Sequence, residues 1–557
     1  MDGNVESITT SPIHEAGAPG TPDGIQRPSS GPPSCRGAAH SHSWPSLAVL
    51  TCTFIASLNS ALLGYATGVF GPAVEIIRDQ MGLTTSQVGW AASSLAFTAI
   101  PGAITAGEVS DRYGRRMTLV AASVLFLTGA LLMAFAQNYG VLLVGRLVTG
   151  LGVGTGLAID PLYISEVSPP HLRGMLVSAA ELSINFGIMA GSFMSWLLGE
   201  YVSDPDISWR LLLGLGAVAP TCIIVLSFTV LPETPRWLVE KGRPVDAEKV
   251  MQKLCRGDQA EVDATMADLH RALEDERAAG KSSWGDLILR PSPGSRLMLL
   301  VVVGAGAAQQ ASGVEAVVVF TPIILADKVG LSAEAVRSVY LALTAWKMVM
   351  VLLAAALLDR IAGRRPLMLL SCAGVALSHL ATAVGFFLGS AAANVIGLAG
   401  FMTFFSVALG PVAWLLASEV LPTNVRAKGM MLACTANRLV AGMVMISFLQ
   451  AEGQSDESGR AAAGFIGLGV LTTVSFFYVL ALLPETKGRT LEEMGEYFER
   501  CAVKKAWWMD PLCCCWRATR AVRYDGGPEP CPEPGVVADR IELARNVSTS
   551  SSPKPAV

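Results

Sequence analysis

Apolar residues run in long unbroken stretches rather than with a period of two or a short amphipathic repeat. A helix needs about 20 predominantly apolar residues to cross a bilayer. Stretches near 48–70, 88–107, 118–136, 141–164, 176–198 and 211–231 meet that length, as do stretches near 298–325, 338–358, 367–389, 394–421, 430–449 and 463–483. The pattern predicts an all-α membrane protein with about twelve transmembrane helices in two sets of six, residues 46–231 and 298–484.

Residues 232–297 interrupt the pattern. "RPVDAEKVMQKLCRGDQAEVDATMADLHRALEDERAAG" carries apolar positions every three or four residues among mixed charges, which predicts short amphipathic helices. The segment is too short for a separate domain with a substantial core. Residues 1–45 are rich in Pro, Gly and Ser, lack a cationic stretch leading into an apolar one, and read as a disordered tail; residues 485–557 read as a second tail. Basic loops set orientation. "DRYGRR" (111–116), "PRW" (235–237), "DRIAGRR" (359–365), "NVRAK" (424–428) and "KGR" (487–489) fall on one side, with "GEYVSDPDISWR" (199–210) and "AEGQSDESGR" (451–460) on the other. The linker and both termini are therefore expected to be cytoplasmic.

Composition agrees with the pattern. Of 557 residues, 52% are hydrophobic and only 15% charged, and mean hydropathy is +0.48. The main partner is thus a lipid bilayer. A net charge of −4 argues against nucleic acid. The 11 cysteines show no metal-ligand spacing, so no metal or other cofactor is expected. "CCCW" (513–516) is either a palmitoylation site beside the membrane or an inert piece of tail. No nucleophile–base set appears, His379 stands alone in an apolar stretch, and the chain does not read as an enzyme.

Three motifs recur in order. "DRYGRR" returns as "DRIAGRR", "EVSPPHLRG" (166–174) as "EVLPTNVRAKG" (419–429), and "LPETPRWL" (231–238) as "LPETKGRT" (483–490). Asp111 to Glu166 spans 55 residues and Asp359 to Glu419 spans 60; Glu166 to Pro232 spans 66 and Glu419 to Pro484 spans 65. Ordered motifs at matched spacing mark a duplicated six-helix unit, with any ligand site expected between the halves. Acids and arginines at helix ends permit salt-bridge clusters that change when the halves rock. They also set topology. "GRLVTGLGVGTG" (145–156) superficially matches a phosphate loop, but glycines inside an apolar helix serve close helix packing better.

Together with "PETPRWL", "QQASGVEA" and "PETKGRT", these motifs make residues 46–500 similar to the sugar porter family of the major facilitator superfamily. The resemblance implies the major facilitator fold, alternating access, and a gating role for Asp111, Arg115, Arg116, Glu166, Arg173, Asp359, Arg365, Glu419 and Arg426. One copy suffices for such a carrier, in a plasma or vacuolar membrane.

Charge at membrane depth costs about 2.5–3.5 kcal/mol per residue on insertion scales. Arg146, Asp160, Glu181, Glu315, Lys347 and Arg438 all fall there. Gln309, Gln310 and Glu315 are expected on one helix, and amides with a carboxylate suit a small hydroxylated substrate. The family resemblance implies substrate binding by Gln309 and Gln310. "QQASGVEAVVVFTP" resembles the plant-type polyol/monosaccharide transporters in carrying an acid at Glu315, and Lys347, Glu181, Asn437 and Arg438 match that subgroup. Trp414 matches a tryptophan that packs on the sugar; its alternative is an ordinary packing aromatic. Glu315 and Lys347 are expected to pair across two helices.

One departure stands out. Proton-coupled members of the family carry an aspartate in the first helix, facing an arginine matched here by Arg146. This chain reads "GYATG", with Ala66 at that place. Facilitated diffusion is the expectation taken forward. The alternatives are proton symport through Glu181, Glu315 or Asp160, with the proton as a second partner, and a non-transporting sugar sensor. Asp160, six residues before Glu166, is expected to join the salt-bridge cluster.

Overall fold

The computed structural model describes residues 45–169, 172–279, 287, 291–357, 363–452, 457–489 and 491–503. Both tails outside these bounds, Asp359 and "CCCW" lie outside the described residues. Among the described residues all regular structure is helical. Among these residues twelve helices or helix pairs are long and apolar enough to cross a membrane, six on each side of the polar linker.

The first six are α1 (Leu47–Met81), α2 (Thr85–Tyr113), α3 (Arg115–Ala134), α4 (Tyr139–Val167), α5 (Arg173–Tyr201) and α6 (Pro205–Thr229). Side-chain caps fix several starts. Ser46 accepts from the Val49 N–H, Thr84 and Gln87 form a reciprocal capping box, Asn138 accepts from the Val141 N–H, and Asp204 precedes Pro205. The structure lengthens the first span. α1 has 35 residues rather than ending near 70, so it is about 52 Å long at 1.5 Å per residue. Its last turns carry Glu75, Arg78 and Asp79, which a hydropathy pattern cannot assign to a spanning helix.

The linker forms α7 (Pro235–Glu240), α8 (Pro244–Leu254) and α9 (Gln259–Ala279), which share a small core around Leu238, Val239, Ala247 and Leu273. The second set begins with α10 (Pro293–Ala311) and α11 (Val314–Ile323), the latter running on as a π-helical turn, Ile324–Lys328. Then follow α12 (Ala333–Leu357), α13 (Arg364–Phe387), α14 (Ala391–Phe404) with a second π-helical turn (Phe405–Leu409), α15 (Pro411–Val420), α16 (Thr423–Glu452), α17 (Glu457–Leu482) and α18 (Leu491–Val503). Two spans expected to be continuous are therefore interrupted, at Ser312–Gly313 and at 405–410. The glycines of α4 do serve packing: a Cβ on Gly154 would lie 1.9 Å from the Ala99 carbonyl oxygen of α2. The halves meet through α1 with α11, α2 with α16, and α5 with α12.

The repeated motifs build two matching clusters on the linker side. In the first, Arg115 of α3 pairs with Glu166 of α4 at 3.0 Å and more weakly with Asp111 at 3.4 Å, while the Thr234 hydroxyl donates to Glu166 at 2.6 Å. Glu233 accepts from the backbone N–H groups of Arg115 and Arg116, capping the start of α3 with negative charge. Burial pushes the Glu233 carboxyl above its usual range, against the pull of those N–H donors. In the second, Arg364 of α13 pairs with Glu419 at 3.2 Å, Thr486 donates to Glu419 at 2.5 Å, and Glu485 accepts from the N–H groups of Arg364 and Arg365. The side chain that pairs with Glu419 is Arg364, which was not among the expected network residues; Arg365, which was, donates from its guanidinium to the Leu480 carbonyl at 2.7 Å. The extra residue in "DRIAGRR" obscured which arginine follows the turn. Glu233, Thr234, Glu485 and Thr486 were also missed, although both "PET" triplets displayed them. Each of these ion pairs lies within its own half, Arg115–Glu166 in the first and Arg364–Glu419 in the second. Among the described residues Arg173 and Arg426 form no ion pair; Arg426 donates from Nε to the Leu421 carbonyl at 3.1 Å and lies within electrostatic reach of Arg173.

Gly114 and Gly363 make room for the two capping glutamates. A Cβ would lie 2.2 Å from Glu233 Oε2 at Gly114 and 2.0 Å from Glu485 Oε2 at Gly363, but only Gly114 has a positive φ, 97°. Gly114→Ala therefore adds backbone strain of about 1–3 kcal/mol to the displaced cap. The expected outcome is a larger loss of thermal stability in detergent for Gly114→Ala than for Gly363→Ala; equal losses would show that φ at Gly114 is immaterial.

Candidate functional site

Gly313 breaks the helix that carries the central polar residues. Its φ is 77°, a conformation that L side chains rarely adopt, so the chain turns between α10 and α11. Gln309 and Gln310 therefore end one helix and Glu315 begins the next, instead of sharing a helix as expected. The freed backbone groups find partners inside the protein, as the apolar surroundings require. His379 bonds through Nε2 to the Ser312 carbonyl at 2.9 Å, and the Ser312 hydroxyl donates to the Gln309 carbonyl at 2.6 Å. The isolated histidine thus holds the break together. At the second interruption Ser371 donates to the Phe404 carbonyl and accepts from the Leu409 N–H. Gln309 joins the two breaks by donating to the Gly410 carbonyl at 2.8 Å.

Asn437 of α16 is the hub of the cluster. Its amide nitrogen donates to Gln309 Oε1 at 2.7 Å and to the Gly306 carbonyl at 2.9 Å. Its oxygen accepts from Arg438 at 2.6 and 2.9 Å and from Gln310 at 3.3 Å. Arg438 in turn pairs with Glu315 at 2.5 Å. The expected Glu315–Lys347 ion pair is not what forms. The turn at Gly313 brings α11 against α16, and Asn437 fixes the Arg438 guanidinium beside the carboxylate. Lys347 of α12 is buried, with its ammonium 5.4 Å from the centre of the Phe405 ring.

Gln309, Gln310, Glu315, Lys347, Phe405 and Arg438 line one cavity with Glu181, Asn185 and Trp414, whereas Asn437, expected as a substrate ligand, is not part of that lining and instead positions Gln309, Gln310 and Arg438. Glu181 and Asn185 come from α5 and the others from the second half, so both halves contribute. Within that lining Gln310 Oε1 and Asn185 Oδ1 are buried acceptors without a protein partner. An unsatisfied buried acceptor is costly in an apolar medium and marks a place where a ligand donor is favoured. Asn185 and Phe405 were missed by sequence reasoning. The spacing of Asn185 one turn after Glu181, to which it donates at 3.3 Å, was the available signal. Phe405 carried none.

The remaining two intramembrane charges lie outside the cavity lining. Arg146 is 2% exposed and has no carboxylate partner. It donates to the Ala91 and Ala92 carbonyls at 3.1 and 3.2 Å, more weakly to the Ala66 carbonyl at 3.5 Å, and stacks 3.8 Å from the centre of the Phe70 ring. Asp160 does not join the salt-bridge cluster. Six residues turn a helix by about 600°, which leaves Asp160 and Glu166 on different faces. Asp160 instead faces α1, where it accepts from Asn59 Nδ2 at 2.9 Å and Ser60 Oγ at 2.6 Å.

The family described as "Sugar (and other) transporter" matches residues 52–498. Polyol transporter 5 of Arabidopsis thaliana is 36% identical over 472 residues, covering 80% of this chain and 85% of that one. The probable metabolite transport protein CsbC of Bacillus subtilis is 32% identical over 464 residues, covering 81% and 95%. The xylose transporter XylE from E. coli, in a partially occluded inward open conformation, superposes with a TM-score of 0.69 at 23% identity, covering 80% of this chain and 100% of that chain.

Removing one member of a buried ion pair costs about 3–5 kcal/mol because the other is left uncompensated. Arg438→Met is expected to destabilise the protein by that amount in detergent, and the double variant Glu315→Gln/Arg438→Met to recover most of the loss. Additive losses would show that the two side chains do not depend on one another.

Proposed function

The chain belongs to the sugar transporter family, and on that premise we propose that it carries polyols or monosaccharides across the membrane by alternating access, with facilitated diffusion as its mode. The observation that carries the substrate reading is the pair of unpartnered acceptors, Gln310 Oε1 and Asn185 Oδ1, in a cavity that also holds amides, carboxylates and cations. A polyol offers many hydroxyls, each able to donate and accept, so one guest can satisfy both acceptors while bonding to Lys347 and Glu181. Trp414 and Phe405 supply apolar faces for the carbon chain or ring. The relatives named for polyol transport support the polyol end of this range.

In each cycle the guest bonds to groups from both halves, so it is held most tightly when they close around it. The ion pair of Arg78 (α1) with Asp327 (α11), at 2.8 Å, and the Ser192–Thr344 hydroxyl contact at 2.6 Å join the halves on the side away from the linker. They must part when the cavity opens that way. Arg115–Glu166 and Arg364–Glu419 brace each half as it moves.

Facilitation is supported by the surroundings of Arg146. Backbone carbonyls and the Phe70 ring hold its guanidinium, and Ala66 brings no group that binds and releases a proton there. Proton symport is the second reading, favoured by the buried Asp160 carboxylate, and a non-transporting sugar sensor would retain the cavity without flux.

Uptake of sorbitol, mannitol, inositol, xylose and glucose into proteoliposomes, with and without an imposed pH gradient, tests these readings. The expected outcome is uptake of one or more of them that stops at equal concentration under both conditions. Accumulation driven by the gradient would replace facilitation with symport, and binding without flux would favour the sensor. A second test concerns selectivity. Lys347→Ala and Glu315→Asn are expected to weaken polyol transport relative to glucose by about tenfold, the worth of one charge-assisted hydrogen bond. An unchanged preference in both would remove these side chains from substrate selection.

A further inference from the structure

Among the described residues Asp160 is a fully buried carboxylate of the spanning helices that lies outside the cavity lining. Glu181 and Glu315 both line that cavity, and Glu315 has a guanidinium. Asp160 is 0% exposed, and its two hydrogen-bond partners among the described residues are the neutral side chains of Asn59 and Ser60. Titratable and charged groups on its own helix and on the elements packed against it include Arg146, Tyr163 and Glu166 on α4, Cys52 and Tyr65 on α1, Glu108, Asp111 and Arg112 on α2, Arg115 and Arg116 on α3, Arg173 and Glu181 on α5, Arg236 and Glu240 on α7, and Arg426, Lys428, Cys434 and Arg438 on α16. Asp160 forms no ion pair or hydrogen bond with any of them, and Arg115 and Arg438 are held by Glu166 and Glu315.

An ionised carboxylate in such a place is tolerated only while both donors point at it. The alternative is to take up a proton. The cavity is one turn away on both helices: Leu157 precedes Asp160 by three residues and Leu63 follows Ser60 by three, and both line it. Asp160 also clamps α1 against α4 at a tight contact, since a Cβ on Gly156 would lie 2.3 Å from Asn59 Nδ2.

We propose that Asp160 is a proton-binding site that regulates the carrier, with ionisation tightening the α1–α4 clamp and slowing alternation, and protonation releasing it. This rests on the facilitated-carrier reading. The step is a simple association. A proton from water adds to one carboxylate oxygen, the acid O–H then donates to the Ser60 oxygen, and the Ser60 hydroxyl turns its own hydrogen to the helix backbone. One charge-assisted bond becomes a neutral one, and the proton returns to the side it came from. A proton fits better than a metal cation, because Asn59 presents its amide hydrogens to the carboxylate rather than its oxygen.

The test is equilibrium exchange of a transported polyol in proteoliposomes at equal pH on both sides, across a pH series. Infrared titration of the carboxylic C=O band runs in parallel on the same samples. Wild-type exchange is expected to be faster at low pH by about five- to tenfold. Asp160→Asn is expected to run at the low-pH rate throughout and to lack one titrating C=O band. Asn59→Ala and Ser60→Ala each remove a donor to the ionised form, so the inflection should move up by about one pH unit. These two variants also serve if Asp160→Asn does not fold. Flat wild-type exchange, or an inflection that the Asn59 and Ser60 variants leave in place, overturns the proposal. Gradient-driven accumulation that Asp160→Asn abolishes also overturns it, by making the proton a co-substrate. Absence of any flux with a C=O band that Asp160→Asn removes would instead overturn the transport reading and leave the proton site standing.

Discussion

The hydrogen bond from Gln309 to the Gly410 carbonyl ties together the two places where spanning helices break. In a bilayer every broken backbone turn must find partners within the protein, and here they come from Gln309, His379, Ser312 and Ser371. The same requirement shapes the cavity. Because Gln309 is committed to Gly410 and Asn437, its neighbour Gln310 keeps an oxygen unpartnered toward the cavity. Because Gly313 turns the chain, Glu315 reaches Arg438 rather than Lys347. Lys347 faces the Phe405 ring and forms no ion pair among the described residues, with Glu181 and Glu315 near enough to act on it only through space. The binding chemistry is thus a consequence of how two helix breaks are repaired.

The charges away from the cavity obey the same rule by different means. Arg146 lacks a carboxylate, yet three carbonyls and the Phe70 ring surround its guanidinium. A delocalised, weakly hydrated cation can be held in that way, where an ammonium would be left poorly solvated. Asp160 has two neutral donors and no cation. The first half therefore keeps one basic and one acidic group apart, on different contacts of α4 with its neighbours, rather than facing each other.

The duplicated clusters on the linker side give each half a rigid end. A glutamate from the "PET" triplet caps the helix that opens with an arginine, that arginine grips a glutamate at another helix end, and a threonine from the same triplet holds the glutamate's second oxygen. Exposed pairs of this kind are worth little. Arg115 and Glu166 are nearly buried, with side chains 6% and 5% exposed, so their geometry is fixed by packing as well as by charge. Rocking of the halves would then leave these clusters whole while contacts between halves, such as Arg78 with Asp327, part.

The sequence by itself determined what depends on composition and period. Runs of apolar residues specified twelve crossings, a polar amphipathic stretch specified the linker helices, and repeated motifs specified the two halves. The residue types at membrane depth pointed to the polar cluster, since each would be too costly there without a purpose. Only the tertiary structure decided which of them meet. A shift of one residue in "DRIAGRR" exchanged Arg365 for Arg364, a glycine at positive φ redirected Glu315, and 600° of helical rotation put Asp160 against α1 instead of beside Glu166. Hydropathy is a property of single residues and survives any rotation of a helix, whereas pairing depends on azimuth, on helix breaks and on which neighbour lies across the interface. Those are set by packing, and packing is not written at any one position.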